Sequence, residues 1–415
     1  MTNNDRTFTP SRRQMLRGLG LAAAAGVTPG LLAAPAIARG KYDEGASDTE
    51  IRLGQTAPYS GPASYLGVMA RAEVAYFERL NRSGGVRGRK VRIISLDDAY
   101  SPPKTVEATR RLVESDGVLA MVGSIGTATQ TAVQRYLNGK KIPQLLVGSG
   151  ASRFNQPDRF PWTTPGSGVY AVEGETLGRY LAAGKPDAKV VILSQADELG
   201  RDYVSGFRKG LGARAAQMLV KEAVYEAAEP TVDSQIVQLA STGADVFINL
   251  TIGKFLSQSV RKAHELGWKP EQYLLSGAAT VSLLKPAGTA ATNGLLAPRS
   301  IRSVSSPQWA DDPGVKDYQA LRAEFLPNVD PTDNAGFSGY SVGVLIHQIL
   351  EKCGDDLTRE NLLRAATDLR GMTSPMNLPG ITFATSPTDY ALYKNYELSR
   401  YENDDWVRVK TLSAG

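Results

Sequence analysis

The chain has 415 residues, of which 42% are hydrophobic and 21% charged, and its formal net charge is +5 at neutral pH. This length allows two domains with cores of ordinary size, and the single cysteine, Cys353, excludes an internal disulfide. Residues 1–38 hold four arginines and one aspartate, a net charge of +3, so the remainder is close to neutral at +2. No lysine and arginine cluster with interleaved aromatic residues follows, which argues against a nucleic-acid-binding protein.

Residues 1–38 have the pattern of a twin-arginine export signal. Arg12 and Arg13 precede an apolar pair and a further base, and a weakly hydrophobic stretch then ends in Ala36-Ile37-Ala38. Glycine and proline interrupt this stretch, so we predict a leader cleaved near Ala38 rather than a membrane-spanning helix. We expect the twin-arginine translocase to export the chain and, since no leader cysteine can carry a lipid, the mature protein to be free in the periplasm. A basic tail without an export function is the alternative.

The rest of the chain alternates short β-rich runs with segments of helical period. Apolar residues recur at three- to four-residue spacing from Leu66 to Leu80 and from Val232 to Ala240, which predicts amphipathic helices. Several β-rich runs are apolar throughout, as in a parallel sheet covered on both faces. This pattern predicts an α/β fold of doubly wound sheets with right-handed crossovers. The predicted strands are Ile51–Ala57, Lys90–Asp97, Val118–Gly123, Pro143–Gly148, Lys189–Ser194, Asp245–Leu250 and Tyr273–Ser276.

Turn-forming residues are concentrated in three segments, 160–168, 297–314 and 376–380. The mature length is about twice that of a typical domain, which favours two sandwiches. Because three such segments are more than one linker requires, we expect the chain to cross between two lobes more than once.

The sequence offers little that a catalyst would need. His264 and His347 lie in helical segments without a second metal-binding residue at useful spacing, and Cys353 has no partner, so we predict no metal site. No nucleophile elbow, phosphate-binding loop or dinucleotide fingerprint is present. Asp97 and Asp98 would point to opposite faces of a strand, so we interpret them as carboxylates that cap loops. We predict a protein that is not an enzyme and needs no cofactor.

Three loops of small polar residues follow predicted strands and are candidates for ligand binding. The loop 123–129 opens a helix, whose free N–H groups favour a carboxylate. The loop 148–152 lets a ligand approach the backbone closely, and the loop 60–65 offers an aromatic wall. Ligands of open α/β sheets bind beyond the carboxyl ends of the strands, so we expect these loops to converge. Helix caps and turns without a ligand are the alternative. The candidate residues are Tyr65, Thr127, Ser149, Gly150 and Ala151.

Several motifs agree, in order, with one known family. They are Gly54–Pro62, Asn81–Gly88, Asp97–Pro102, Gly123–Thr129, Gln195–Gly200, Gly354–Asn361 and Leu378–Ile381. Through them the chain after about Thr49 resembles a type I periplasmic substrate-binding protein of the leucine/isoleucine/valine-binding family. The resemblance implies two Rossmann-like lobes joined by a three-strand hinge, with lobe one at 48–164 plus 299–378 and lobe two at 165–298 plus 379–415. It also implies a monomer that closes around its ligand and is recognised by the membrane permease of an ABC importer.

The resemblance also implies positions for the binding residues of lobe one. A carboxylate clamp would fall at Thr127 and on the loop Ser149–Ala151, and Tyr65 or Leu66 would take the place of the family's aromatic wall.

In lobe two the chain departs from the family pattern. Leu199 stands where the family often has a tyrosine, and Thr251 opens a loop that usually carries another aromatic residue. Ala278 lies in the loop, 276–280, where amino-acid binders place an acid against the ligand ammonium. A buried ammonium without a partner costs several kcal/mol. We therefore expect a small organic acid, aromatic carboxylate or amide, with Leu199 and Ile252 facing its apolar part, unless Glu173 or Asp197 supplies the missing acid.

The sequence thus predicts the periplasmic solute-binding component of an ABC importer. Its ligand would be a small carboxylate-bearing compound: branched-chain amino acid-like, an aromatic acid or an amide. A ligand sensor of the same fold that feeds a regulator or receptor is the alternative, and a periplasmic enzyme on a similar scaffold is a more remote one.

Overall fold

The structure is a computed structural model that describes residues 40–61 and 63–413. The strands are β1 (Lys41–Tyr42), β2 (Glu50–Ala57), β3 (Lys90–Asp97), β4 (Ala120–Val122), β5 (Gln144–Val147), β6 (Thr163–Pro165), β7 (Val190–Gln195), β8 (Leu219–Tyr225), β9 (Val246–Leu250), β10 (Glu271–Leu274), β11 (Leu296–Arg299), β12 (Asp356–Leu357), β13 (Asn395–Glu402) and β14 (Asp405–Ser413). The helices are α1 (Gly67–Arg82), α2 (Pro102–Glu114), α3 (Thr127–Gly139), α4 (Tyr170–Gly184), α5 (Glu198–Leu211), α6 (Ala215–Met218), α7 (Asp233–Ala240), α8 (Lys254–Glu265), α9 (Val281–Leu284), α10 (Thr289–Thr292), α11 (Pro313–Phe325), α12 (Asn334–Cys353) and α13 (Arg359–Ala366). Within the described ranges, no helix is both long and apolar enough to cross a membrane.

Two sheets form the framework, and the predicted α/β fold is confirmed. The first sheet has the order β3-β2-β4-β5-β6 with every pairing parallel. The second has the order β14-β13-β11-β10-β9-β7-β8, parallel from β8 to β11 and antiparallel through β13 and β14. We call each sheet with its helices a lobe: lobe one holds the first sheet and lobe two the second. Both lobes repeat the same crossover order, which leaves a crevice where the strand order reverses.

Most of the predicted elements agree with the structure. The bounds of β3 are those predicted, and α1 and α7 occupy the two predicted helical segments. The strand predicted at Tyr273–Ser276 begins and ends two residues earlier, because Ser276 starts a 3₁₀ turn. The list of predicted strands did not include β1, β6, β8, β11, β12, β13 or β14. Of these, β8 is an edge strand with exposed Val220 and Val224, so it lacks a clean alternation of polar and apolar residues.

The chain passes between the sheets three times: between β6 and α4, after β11, and before β13. After β11 it returns to lobe one, where α12 packs against α1. Ile301, at the second crossing, forms an antiparallel bridge with Asn377. The first two crossings fall in turn-rich segments of the sequence, whereas Phe383 and Leu392 still belong to the lobe-one core, so the third crossing follows the segment 376–380 and lies near Tyr393. The residue bounds given above for the two lobes remain a prediction.

Each lobe has its own hydrophobic core, and the core of lobe one is assembled from distant parts of the chain. Ile51 and Phe77 share one cluster with Phe337 and Ile346, which come from α12. A separate cluster joins strands β7 to β11 with the C-terminal hairpin, in which Tyr396 and Trp406 are buried. Lobe one therefore depends on residues that follow the second crossing.

Helices α4 and α5 pack at unusually short range through glycines. A Cβ atom at Gly174 would lie 2.4 Å from the carbonyl oxygen of Tyr203, and one at Gly178 would lie 2.4 Å from that of Phe207. The reverse contacts are equally tight, since Cβ atoms at Gly206 and Gly210 would meet carbonyl oxygens of α4 at 2.1 and 2.2 Å. The two backbones touch directly, so α4 and α5 have a fixed mutual position.

Candidate functional site

A cavity of about 400 Å³ lies at the carboxyl ends of the parallel strands and takes its walls from both lobes. Lobe one contributes the loops after β2, β4 and β5, and lobe two contributes the loops after β7, β9 and β10. The three crossing segments form a further part of the wall through Gly168, Ile301 and Tyr393. The volume is typical of sites for small ligands.

The structure brings five of the eight predicted binding residues together. Tyr65, Thr127 and Ser149 line the cavity from lobe one, and Leu199 and Ala278 line it from lobe two. Ile252, expected to face the apolar part of a ligand, also lines it.

The other three predicted residues, Gly150, Ala151 and Thr251, are not among those that line the cavity. Thr251 is fully buried, and its hydroxyl donates a 2.6 Å hydrogen bond to Asn249, so it serves the β9–α8 connection. Gly150 contacts the first crossing, because its carbonyl accepts a 2.8 Å hydrogen bond from the Tyr170 N–H and a Cβ atom there would meet the Gly168 carbonyl. Ala151 is fully buried beside Phe154 in a small cluster.

The Thr127 and Ser149 hydroxyls form a polar pair at one end of the cavity. Their oxygens are 2.7 Å apart, and both residues are buried. Thr127 is the first residue of α3, preceded by Gly126 with φ of 111°, so the ends of two neighbouring strands deliver both hydroxyls to a helix N-terminus. Such an end offers N–H donors and a positive dipole, which suits a carboxylate.

Tyrosines surround this pair. Tyr65, Tyr100 and Tyr170 line the cavity, and burial raises the pKa of each phenol. All three therefore stay protonated over the physiological pH range. The Tyr170 hydroxyl lies beside those of Thr127 and Ser149. Sequence reasoning did not name Tyr100 or Tyr170 as binding residues.

A carboxyl group does reach the 276–280 loop, and it comes from a different element. Glu173 of α4 lines the cavity and accepts hydrogen bonds from the Ser276 N–H at 3.0 Å and from the Ser276 hydroxyl at 2.6 Å. Burial raises the pKa of Glu173 to about 7, although the bonds from Ser276 oppose that rise. The 276–280 loop itself carries no acid, and its neighbouring carboxyl comes from Glu173, one of the two alternative sources that the sequence analysis named.

A second buried carboxyl, Glu73 of α1, lines the cavity from lobe one. Its Oε2 atom accepts a 2.7 Å hydrogen bond from the Gln55 amide, whose own oxygen accepts a 2.8 Å bond from Ser95. The end of β4 leaves room for this carboxyl, because a Cβ atom at Gly123 would lie 1.9 Å from Glu73 Oε2. Burial raises the pKa of Glu73 well above its ordinary value. In the sequence Glu73 looks like any polar residue of an amphipathic helix, so no pattern singled it out.

The charged side chains of the cavity wall are all acidic. Glu73, Glu173 and Asp333 contribute carboxyl groups, and among the described residues no lysine, arginine or histidine lines the wall. Nor do the described residues hold a group of three or more side chains suited to a metal ion.

The adjacent carboxylates Asp97 and Asp98 cap loops, as interpreted from the sequence. Asp97 Oδ1 accepts 2.9 Å hydrogen bonds from the N–H groups of Tyr59 and Ala99. Asp98 accepts bonds from the Tyr100 N–H and the Thr105 hydroxyl at 2.9 and 3.0 Å.

The profile of the periplasmic binding protein family matches residues 50–404. The chain belongs to this family. Over 329 residues it is 24% identical to the leucine-, isoleucine-, valine-, threonine- and alanine-binding protein of Pseudomonas aeruginosa, an alignment that covers 78% of this chain and 84% of that protein. The resemblance to type I proteins of the leucine/isoleucine/valine-binding family is confirmed, and the family consists of substrate-binding proteins rather than enzymes.

Solved structures agree with this fold. A branched chain amino acid ABC transporter protein from Thermus thermophilus with bound valine superposes with a TM-score of 0.78 at 16% identity, covering 88% of this chain and 96% of that one. A solute binding protein from R. palustris in complex with benzoate gives a TM-score of 0.72 at 19% identity, covering 87% and 95%. At these identities the likeness shows the fold alone. The family implies a periplasmic location, while the predicted leader, residues 1–38, lies outside the described residues.

Proposed function

We propose that this protein is the periplasmic solute-binding component of an ABC importer and that it captures a small carboxylate-bearing ligand between its lobes. The observation that carries the proposal is the Thr127–Ser149 hydroxyl pair at the N-terminus of α3, inside a cavity walled by both lobes. A ligand carboxylate placed there would accept hydrogen bonds from both hydroxyls and from the first N–H groups of the helix.

The apolar residues of the cavity wall support a ligand with an apolar body. Leu199 and Ile252 of lobe two, together with Leu66 and Met69 of lobe one, line the cavity. A branched-chain amino acid-like compound, an aromatic acid or an amide fits this combination of a polar end and apolar walls. Ala278 and Tyr65 complete the proposed contacts from either lobe.

A ligand that contacts both lobes would favour the closed form of the protein. A ligand shifts an equilibrium between open and closed forms only by its difference in affinity for the two, and a ligand held by both lobes binds the closed form better. The closed form would then be recognised by the membrane permease. In this proposal the chain leaves the cytoplasm through the twin-arginine translocase, loses its leader near Ala38, and acts as a monomer.

A binding screen tests the proposal. The purified protein, freed of co-purified ligand by partial unfolding and refolding, is titrated with leucine, valine, benzoate, hexanoate and hexanamide while its melting temperature is followed. A ligand at a hundred times its Kd stabilises the folded state by about 2.7 kcal/mol. We expect at least one carboxylate to bind, and Thr127→Val to weaken it roughly tenfold or more through loss of a charge-assisted hydrogen bond.

Thr131→Val is the matched control, because Thr131 lies one turn further along α3 and outside the cavity wall. Absence of binding by every carboxylate, or equal loss of affinity in both variants, would contradict the proposal.

A further inference from the structure

We propose that the natural ligand is elongated: its carboxylate lies at Thr127 and Ser149, and a protonated amine about 10 Å deeper pairs with the carboxylate of Glu73. The inference rests on the proposed function for the carboxylate end and adds a separate subsite for a cation. Three observations on the cavity wall carry it.

The first observation is the charge of the wall. Its described part contains Glu73, Glu173 and Asp333 and no basic side chain. A purely anionic ligand would therefore meet no opposite charge in the cavity. A cationic group on the ligand would supply the counter-charge that buried carboxylates require.

The second observation is the incomplete hydrogen bonding of Glu73. Glu173 receives two hydrogen bonds from Ser276 and Asp333 accepts one as the cap of α12, whereas Glu73 receives a single bond, to Oε2, from Gln55. A carboxylate has room for about four such bonds. The Glu73 side chain is 1% exposed, so the cavity is where a further donor can come from.

The surroundings of Glu73 keep its carboxyl in this position. Ser95 orients the Gln55 amide so that its N–H group faces Glu73, and Gly123 leaves the space that the carboxyl occupies. The glycine has a φ of 55°, a backbone conformation that also disfavours a side chain there. Packing alone would need neither the oriented amide nor the cleared space.

The third observation is the depth of Glu73. Leu66, Met69 and Glu73 line the cavity at spacings of three and four residues, so they form one stripe along α1. From Leu66 to Glu73 is two helical turns, about 10 Å along the axis. The Glu73 carboxyl lies deeper than the hydroxyl pair, because it lies against Gly123 at the end of β4, four residues before Thr127 at the start of α3.

The apolar residues of the stripe indicate that the middle of the ligand is apolar. Leu66 and Met69 line the cavity on the same helix as Glu73, so an aliphatic or aromatic spacer would lie along them. An α-amino acid carries its ammonium next to its carboxylate and cannot reach both. The chemical class is therefore an acid with a remote primary amine.

The test compares probes matched in length. Calorimetric titration of the purified, ligand-free protein uses 8-aminooctanoate, octanoate, octylamine and leucine, together with 4-aminobutyrate as a short amino acid of the same class. We expect 8-aminooctanoate to bind at least tenfold more tightly than octanoate, 4-aminobutyrate and leucine, since a charge-assisted pair is worth roughly that factor or more.

Variants then assign the advantage to Glu73. Glu73→Gln keeps the size of the side chain and is expected to abolish the difference in affinity between 8-aminooctanoate and octanoate. Glu78→Gln, an exposed position on the same helix, is the matched control and is expected to change neither affinity.

The outcomes separate this inference from the proposed function. Equal affinity of wild-type protein for 8-aminooctanoate and octanoate overturns the inference without needing any variant to fold, and so does an amine advantage that persists in Glu73→Gln. Tighter binding of leucine than of 8-aminooctanoate overturns the inference and leaves the proposed function standing. Binding of octylamine through Glu73, with no binding of any carboxylate, would instead retain the cation subsite and reject the carboxylate end. Binding of no probe counts against both.

Discussion

Replacing Glu173 by glutamine should change how the stability of this protein depends on pH. Burial raises the pKa of Glu173 to about 7, whereas the same carboxyl in the unfolded chain titrates near its ordinary value of 4.5. Between those two values the folded protein holds a proton that the unfolded chain has lost. Stability therefore falls as pH rises through this window. It is fully restored only below the unfolded pKa.

The size of the effect follows from the difference between the two pKa values. Each unit corresponds to about 1.4 kcal/mol, so ionisation of this one group lowers the free energy of unfolding by roughly 3 kcal/mol between pH 4.5 and pH 8. Glutamine cannot ionise, and its oxygen can still accept from the Ser276 N–H while the Ser276 hydroxyl turns to accept from the new amide. We expect Glu173→Gln to be close to wild type at pH 4.5 and more stable by roughly 3 kcal/mol at pH 8.

Urea titrations of the ligand-free protein at several pH values, followed by circular dichroism, measure this difference. Subtracting the variant from the wild type removes the contributions of the other titrating groups, including Glu73, whose pKa is also raised by burial. A difference that stays constant from pH 4.5 to pH 8 would show that Glu173 is not protonated in the folded state. A difference of opposite sign would show that a cation, not burial, controls this carboxyl.

Three further changes test other parts of the structure. Gly339→Ala should destabilise the protein by about 1–3 kcal/mol or more in urea titrations, because the new Cβ atom would lie 2.0 Å from the Met69 carbonyl oxygen. Gly139→Ala is the control: the space around Gly139 is open, so this variant should be as stable as the wild type or slightly more stable. Asp197→Ala should cost about 0.5–2 kcal/mol by the same assay, since Asp197 caps α5 through bonds to the N–H groups of its first turn. Cys353 is buried and its pKa is raised by burial to about 12, so a thiol reagent at pH 8 should label the unfolded chain and leave the native protein unmodified; rapid labelling of native protein would contradict this.

The fold could be predicted largely because its signals are local. Parallel strands buried on both faces are continuous apolar runs, so β7 and β9 were recognisable from a few residues each. Edge strand β8 was not recognised, because its exposed valines, Val220 and Val224, break the alternation of polar and apolar residues.

The site was only partly predictable because its key contacts are long-range. Thr127 and Ser149 could be predicted because each lies in a loop of small polar residues that follows a predicted strand. Glu73 and Glu173 lie on helices, where a glutamate usually faces water, and only the packing of α1 against Gly123 and of α4 against Ser276 turns them inward. A helical pattern read without a partner surface cannot show that.

The glycine contact between α4 and α5 limits how this protein can acquire new ligands. Four positions along the pair cannot accept even a methyl group without separating the helices, so mutation has little freedom there. The residues at the head of the pair, Tyr170, Glu173 and Leu199, are consequently presented on a platform of constant geometry. New ligand specificity would have to arise by substituting those side chains or by changing the length of the lobe-one loops that line the cavity. It could not arise by shifting one helix relative to the other. The glycine contact fixes the positions of the cavity-lining residues on α4 and α5, so evolution can change the side chains at these positions but not the backbone that carries them.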